Sequence, residues 1–190
     1  MSIFCVVDDK HIPLYRVMWV ASTPHFCGAD DCEREEFKWR ETYFVLFDSA
    51  KRPSLKKVER VLRDLSERFE LSNIRADEDG RFESITVLSP DDYAALDISF
   101  ESGEEVLEQG AALEQEMKSS ATDPEERSRL ARLSKCDARF DLLHFEQMSP
   151  DEPQDEADEM LDPSALLIVL DALVELTGGV GVDPQSGTLL

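Results

Sequence analysis

The sequence lacks an apolar run long enough to cross a bilayer, and it contains few cysteines. Its longest strongly apolar run, Ala165 to Leu170, is far shorter than the about 20 residues that a membrane-spanning helix needs. The N-terminal residues reach Asp8 and Asp9 without the basic start and apolar segment of a signal peptide. Four cysteines in 190 residues do not form a secreted disulfide framework. We therefore expect a cytoplasmic protein without a membrane partner.

Basic residues are also scarce. Only 20 Lys and Arg stand against 42 Asp and Glu, which gives a formal net charge of −22. A surface of this sign repels phosphate backbones at long range, so we expect no nucleic-acid partner. The exception is segment 51–72, which carries seven cations and four anions. The acidic excess keeps a protein soluble, and it would also attract a partner protein with a basic patch.

Length and composition indicate one folded unit. A chain of 190 residues with 42% apolar content can bury one core of domain size. The charged fraction of 33% exceeds the roughly one quarter of an average soluble domain, yet apolar residues are spread along most of the chain. We therefore do not expect global disorder.

Apolar patterns predict a sequence of strands and helices. The run Tyr43 to Phe47 is apolar throughout, which predicts a central strand covered on both faces. From Ser54 to Phe69 apolar residues recur at helical spacing and predict a helix with a basic outer face. Ser102 and Thr122, each with Glu three residues later, predict helices with capping boxes. Further strands are predicted over 82–88, 93–100 and 139–147.

This order predicts an α+β fold, specifically a ferredoxin-like βαββαβ sandwich with helices on one face of an antiparallel sheet. An N-terminal strand pair and a polar, Cys-containing loop over 22–40 would pack on the core as region 1–40. The core would span 41–148, followed by an acidic linker over 149–162. Region 163–190 would complete the same domain with a buried helix and a short strand or hairpin. Such a fold identifies no function by itself.

One compact set of metal-type ligands precedes the core: His25, Cys27 and Cys32. Imidazole and thiolate are zinc ligands, and Gly28 permits a turn between the two cysteines. A closed zinc site needs four ligands, however, and no second Cys or His pair follows nearby. The alternatives are an ordinary surface loop and a redox pair. Cys136 and His144 are expected to be packing residues.

Catalytic residues cannot be selected from the sequence. Paired carboxylates occur throughout a chain with 42 acids, so each pair carries little information. The separation that defines an acid and nucleophile pair is spatial. A small enzyme with unidentified carboxylate acid/base residues therefore remains one alternative, and a zinc-binding module with His25, Cys27 and Cys32 is another.

The leading hypothesis is a non-catalytic protein-interaction or regulatory module. Segment 149–162 contains seven acids, two prolines and no base, which is typical of a solvated linker. It would bind a basic protein patch or the basic helix of another copy. The competing interpretation is a solvated helix face with internal pairs such as Lys56 with Glu59. The candidate partner-binding residues are Lys56, Arg60, Arg63, Asp155, Glu156, Asp158 and Glu159.

Overall fold

The structure is a computed structural model that describes residues 36–118, 123–148 and 164–190. These residues form a mixed α+β fold with a seven-stranded sheet and four α-helices. The predicted N-terminal strand pair, the His25 loop and the acidic linker lie outside the described residues. The elements are β1 Glu36–Phe47, α1 Leu55–Leu65, β2 Glu70–Ala76, β3 Phe82–Ser89, β4 Ala94–Ser102, α2 Glu104–Met117, α3 Pro124–Leu133, β5 Ala138–Met148, α4 Ser164–Thr177, β6 Val180–Asp183 and β7 Thr188–Leu189.

The strands lie in the order β2-β3-β4-β5-β1-β6-β7, and all neighbours are antiparallel. The central position predicted for the run Tyr43 to Phe47 is confirmed, because β1 lies between β5 and β6. Tyr43 stands opposite Leu142 on one side of β1, and Phe44 stands opposite Val182 on the other. This interior strand thus joins distant parts of the chain.

The ferredoxin-like βαββαβ arrangement is wrong for this sheet. Its strand order differs, and β2, β6 and β7 bring the sheet to more strands than that arrangement has. Segment Glu70–Ala76 was not predicted as a strand because it is a largely exposed edge strand without alternating burial. Apolar periodicity shows which side of an element is buried, whereas strand order depends on pairings between distant segments.

Helices cover both faces of the sheet, whereas the ferredoxin-like arrangement has helices on one face only. Helices α1 and α4 pack against the face that carries Val45 and Phe47 of β1. Helices α2 and α3 pack against the opposite face, which carries Phe44 and Leu46. Because successive strand residues point to opposite faces, a strand buried on both sides is apolar throughout. This explains the continuous apolar run in β1.

The helix termini only partly follow the predicted caps. Ser54 occupies the N-cap position of α1, but its side chain makes no capping hydrogen bond. Helix α2 begins after Gly103, so the capping box predicted at Ser102 is wrong. Asp123 caps α3 by accepting a hydrogen bond of 2.8 Å from the Glu126 amide. The predicted loop over 22–40 also extends too far, because β1 already begins at Glu36.

The C-terminal region follows its turn chemistry. Helix α4 ends at Thr177, and Gly178 follows with a φ of 62°, a left-handed conformation that glycine adopts readily. The predicted hairpin is confirmed as β6 and β7, with the Asp183 carboxylate accepting from the Gln185 amide at 2.8 Å. None of the helices in the described ranges has the length and hydropathy needed to cross a membrane.

Candidate functional site

Three exposed cations form a straight row on the outer face of α1. Lys56, Arg60 and Arg63 are spaced i, i+4 and i+7, so they lie on one side of the helix. Val58 and Leu62 on the opposite side are fully buried, which fixes the orientation of the helix. At a rise of about 1.5 Å per residue, this cation row is about 10 Å long.

The cation row has no ion pair with an acid in the part of the chain that the structure describes. The internal pairs that the sequence offered, such as Lys56 with Glu59, are not formed. Two other cations of segment 51–72 do have acidic partners, since Arg52 pairs with Asp77 at 3.0 Å and Arg68 pairs with Asp91. The charge of the row is therefore directed to solvent.

An exposed apolar pair lies in the same helical layer. Leu167 and Ile168 of α4 are 39% and 46% exposed, although the helix was expected to be buried on most sides. The buried side of α4, which includes Leu166 and Leu170, packs into the core that α1 also covers. Because α1 and α4 pack side by side on one face of the sheet, their outer faces look in the same direction. We call Leu167 and Ile168 the apolar pair.

A buried ionisable cluster connects β1 and β5 on this same face. Glu41 accepts a hydrogen bond from the Tyr43 hydroxyl at 2.9 Å, and its second oxygen lies 3.3 Å from Nδ1 of His144. Arg40, placed by a bulge in β1, pairs with Glu146. Burial, followed by the hydrogen bond to Glu41, strongly raises the pKa of Tyr43. We call these five residues the His144 cluster.

The His144 cluster is an internal polar network. His144 is buried, as expected for a packing residue, and its neighbours satisfy one another across the two strands. Sequence reasoning missed Glu41 and Tyr43. Their i, i+2 spacing in a strand puts both side chains on one face, and this was the available signal. The pairing with His144 depends on the register set by the bulge.

Two carboxylates with little solvent exposure lie on adjacent strands: Asp97 on β4 is half-buried, and Asp141 on β5 is buried. Burial is the main cause that raises the pKa of each. The Thr86 hydroxyl donates to Asp97 at 2.9 Å. Arg139 approaches Asp141 at 2.5 Å, and the same guanidinium lies 4.6 Å from the centre of the Phe44 ring. Raised carboxylate pKa values also mark catalytic sites, but here both groups are held by structural partners.

Metal-type residues are dispersed within the described ranges, where no group of three His, Cys, Asp or Glu side chains is arranged to hold an ion. His25, Cys27 and Cys32 lie outside those ranges, so the zinc site stays a prediction. Cys136 is buried, as expected, and its thiol donates to the Arg132 carbonyl at 3.3 Å. Burial raises the pKa of this thiol, which disfavours the reactive thiolate.

The structure places the basic candidate partner-binding residues together on one helix and does not describe the acidic candidate residues. Lys56, Arg60 and Arg63 form the cation row, whereas Asp155, Glu156, Asp158 and Glu159 lie outside the described residues. Sequence reasoning also missed the apolar pair. Asp171 and Glu175 share its side of α4 and mark that side as the outer one.

Comparisons with known proteins supply no relative. No protein-family model, curated protein or solved structure matches this chain.

Proposed function

We propose that this protein is a non-catalytic interaction module that self-associates, with the cation row of one copy binding the acidic segment 149–162 of another. The observation that carries the proposal is the row itself. Three exposed cations lie in line, without an ion pair to a described acid, on a chain of net charge −22. A local row of positive charge on a negatively charged protein is the feature that an acidic segment would recognise.

The acidic segment matches the row in length. Asp155, Glu156, Asp158 and Glu159 fall within five consecutive residues. An extended chain spans at most about 3.3–3.6 Å per residue, so these acids can reach over up to roughly 13 Å, which is enough to cover the about 10 Å of the row. Several acids can therefore contact the three cations at once.

Two acidic copies can associate despite their net repulsion. At physiological ionic strength the screening length is about 8 Å, so charges distributed over the whole surface largely cease to repel. Pairs in direct contact, at about 4 Å, retain more of their attraction. Each exposed pair contributes at most about 1 kcal/mol. If each copy binds the acidic segment of the other, two contacts of three pairs give at most about 6 kcal/mol, so the dimer is weak, with a Kd no tighter than roughly 40 μM.

Sedimentation velocity over a concentration series tests the proposal. The variant Lys56→Glu/Arg60→Glu should raise the dimer Kd at least about 10-fold, since each reversal turns an attraction into a repulsion. The matched control Lys118→Glu/Lys135→Glu changes the net charge equally at exposed sites off α1 and should behave like the wild type. Dimerisation should weaken between about 50 and 500 mM salt.

A mixing experiment separates contact between copies from contact within one copy. The row variant keeps its acidic segment, and a second variant, Asp155→Asn/Glu156→Gln/Asp158→Asn/Glu159→Gln, keeps its cation row. Each alone should be monomeric, and the mixture should form a heterodimer. A monomeric wild type at about 1 mM, or equal behaviour of the row variant and its control, would contradict the proposal.

A further inference from the structure

We infer that the apolar pair Leu167–Ile168 is the second half of the docking surface, and that it receives Met160 and Leu161 of the second copy. This inference rests on the proposed function and specifies its partner. The recognised element is then an acidic cluster followed directly by two apolar residues. Cation row and apolar pair together form a surface with one charged part and one apolar part.

The apolar pair is unusual within its own helix. The large apolar residues on the sheet side of α4, such as Leu166, Leu170 and Leu173, are fully buried, whereas the apolar pair lies on the outer side. Single exposed apolar side chains are common on proteins and need no explanation. Leu167 and Ile168 are adjacent to each other on the helix that packs against α1, and among the described residues no other exposed large hydrophobic residues are adjacent in sequence.

The acidic segment carries a matching apolar end. Met160 and Leu161 follow Glu159 directly, and they are the only large apolar residues in 149–162. A chain whose acids bind the cation row can therefore place these two residues on the neighbouring helix. Association through both halves would bury the side chains that a single copy leaves exposed.

Charge on α4 defines the direction of binding. Asp171 and Glu175 lie on the outer side of α4, one to two turns beyond the apolar pair, and both are exposed. They repel the acids of the incoming segment, so its acidic part is favoured over α1 and disfavoured over the second half of α4. Only the first turns of α4, which carry Leu167 and Ile168, remain favourable for its apolar end.

The occupant is a second copy because the proposed function assigns the acids of a second copy to the cation row, and Met160 and Leu161 follow those acids directly. Complementary charge supports this choice, since the chain supplies both the cation row and an acidic segment of similar length. Binding of a copy's own residues 160 and 161 is the alternative outcome of the test.

The apolar contact should contribute a part of the dimer affinity that does not decrease when the salt concentration is raised. Screening weakens the ion pairs, whereas burial of apolar area is not weakened by sodium chloride. We expect the variant Leu167→Ser/Ile168→Ser to raise the dimer Kd about 10-fold or more at both about 50 and 500 mM salt. Its salt dependence should equal that of the wild type.

The control Ile74→Ser/Leu107→Ser removes two apolar side chains of similar exposure, 38% and 37%, on β2 and α2. It should dimerise like the wild type. Thermal melts of both variants, recorded at concentrations where all proteins are monomeric, show that they remain folded. A combined variant with Met160→Ser/Leu161→Ser should lose little beyond the Leu167→Ser/Ile168→Ser variant, because both remove one contact.

The outcomes distinguish the two proposals. If Leu167→Ser/Ile168→Ser dimerises like the wild type while the Lys56→Glu/Arg60→Glu variant fails, the inference is wrong and the proposed function stands. If the row variant dimerises normally, the proposed function is wrong. If the apolar variant and the Met160→Ser/Leu161→Ser variant lose affinity additively, the two pairs do not contact each other, which overturns the inference. If Leu167 and Ile168 are shielded from solvent in monomers, the contact lies within a single copy, and this result would also overturn the inference.

Discussion

At the scale of single residues, the half-buried Asp97 shows how burial and nearby charge shift a carboxyl pKa in opposite directions. Burial raises the pKa of Asp97, and the hydrogen bond from Thr86 and the charge of Arg75 lower it only in part. A carboxyl with a raised folded-state pKa favours the fold most below its unfolded pKa, about 3.9 for Asp, and this contribution is lost as the pH rises through the folded value. Asp97 therefore lowers stability at neutral pH.

The variant Asp97→Asn tests this balance. Its side-chain oxygen can still accept the hydrogen bond from Thr86, while the cost of a buried charge disappears. We expect the free energy of unfolding in urea to rise by about 1 kcal/mol at pH 7, with the difference from wild type vanishing near pH 4. The exposed control Asp79→Asn should change little. A destabilised Asp97→Asn at pH 7 would show that attraction to Arg75 outweighs burial.

Asp137 titrates in the opposite sense. The Ser49 hydroxyl and amide each donate to its carboxylate at 2.7 Å, and these bonds lower its pKa. A lowered folded-state pKa gives stability above the unfolded pKa, and that stability is lost as the pH falls through the folded value. Asp97 therefore lowers stability as the pH rises above about 3.9, and Asp137 lowers it as the pH falls below that value, so together they favour a stability maximum near pH 4. The bonds of Asp137 also fasten the end of β1 to the start of β5.

At the scale of elements, the close contact of α2 and α3 depends on Gly110. A Cβ atom at this position would lie 2.4 Å from the Leu133 carbonyl oxygen, which belongs to the backbone and cannot move away easily. Gly110 is thus a contact point between two helices and not a helix break. Gly110 lies on the buried side of α2 together with Val106, Leu113 and Met117, whereas Leu107 is exposed.

The variant Gly110→Ala tests this contact. Alanine favours a helix by about 1 kcal/mol over glycine, but the clash with the backbone of α3 costs about 1–3 kcal/mol or more. Because Val106 and Leu113 anchor α2 on the sheet, we expect the clash to dominate and the midpoint of urea unfolding to fall. The exposed site Ala111→Gly, which only lowers helix propensity, gives the reference. A stabilised Gly110→Ala would show that α2 shifts without cost.

Elements with a strong pattern were predictable, and their arrangement was not. The run Tyr43 to Phe47, the helix of the cation row and the C-terminal hairpin each carry a local signal, and each forms where expected. Strand β2 carries none, because its residues are largely exposed. The His144 cluster was hidden for another reason: it requires the pairing of β1 with β5, and a bulge at Arg40 sets that register.

At the scale of the whole molecule, the net charge of −22 opposes folding. Like charges are closer together in the native state than in the unfolded chain, and salt screens this repulsion. We expect the melting temperature to rise between about 10 and 150 mM sodium chloride. The control is the charge-reduced variant Glu108→Gln/Glu116→Gln, altered at exposed sites of α2, which should show a smaller rise. A flat or falling melting temperature would show that attractive pairs balance the repulsion.

The interior position of β1 in the sheet has a consequence for biosynthesis. Tyr43 pairs with Leu142, and Phe44 pairs with Val182, so both neighbours of this strand are translated long after it. During elongation the apolar run of β1 stays unpaired until β5 and β6 have been synthesised. An unpaired apolar strand is prone to aggregate or to be bound by chaperones. Pairings this far apart along the chain also slow spontaneous refolding.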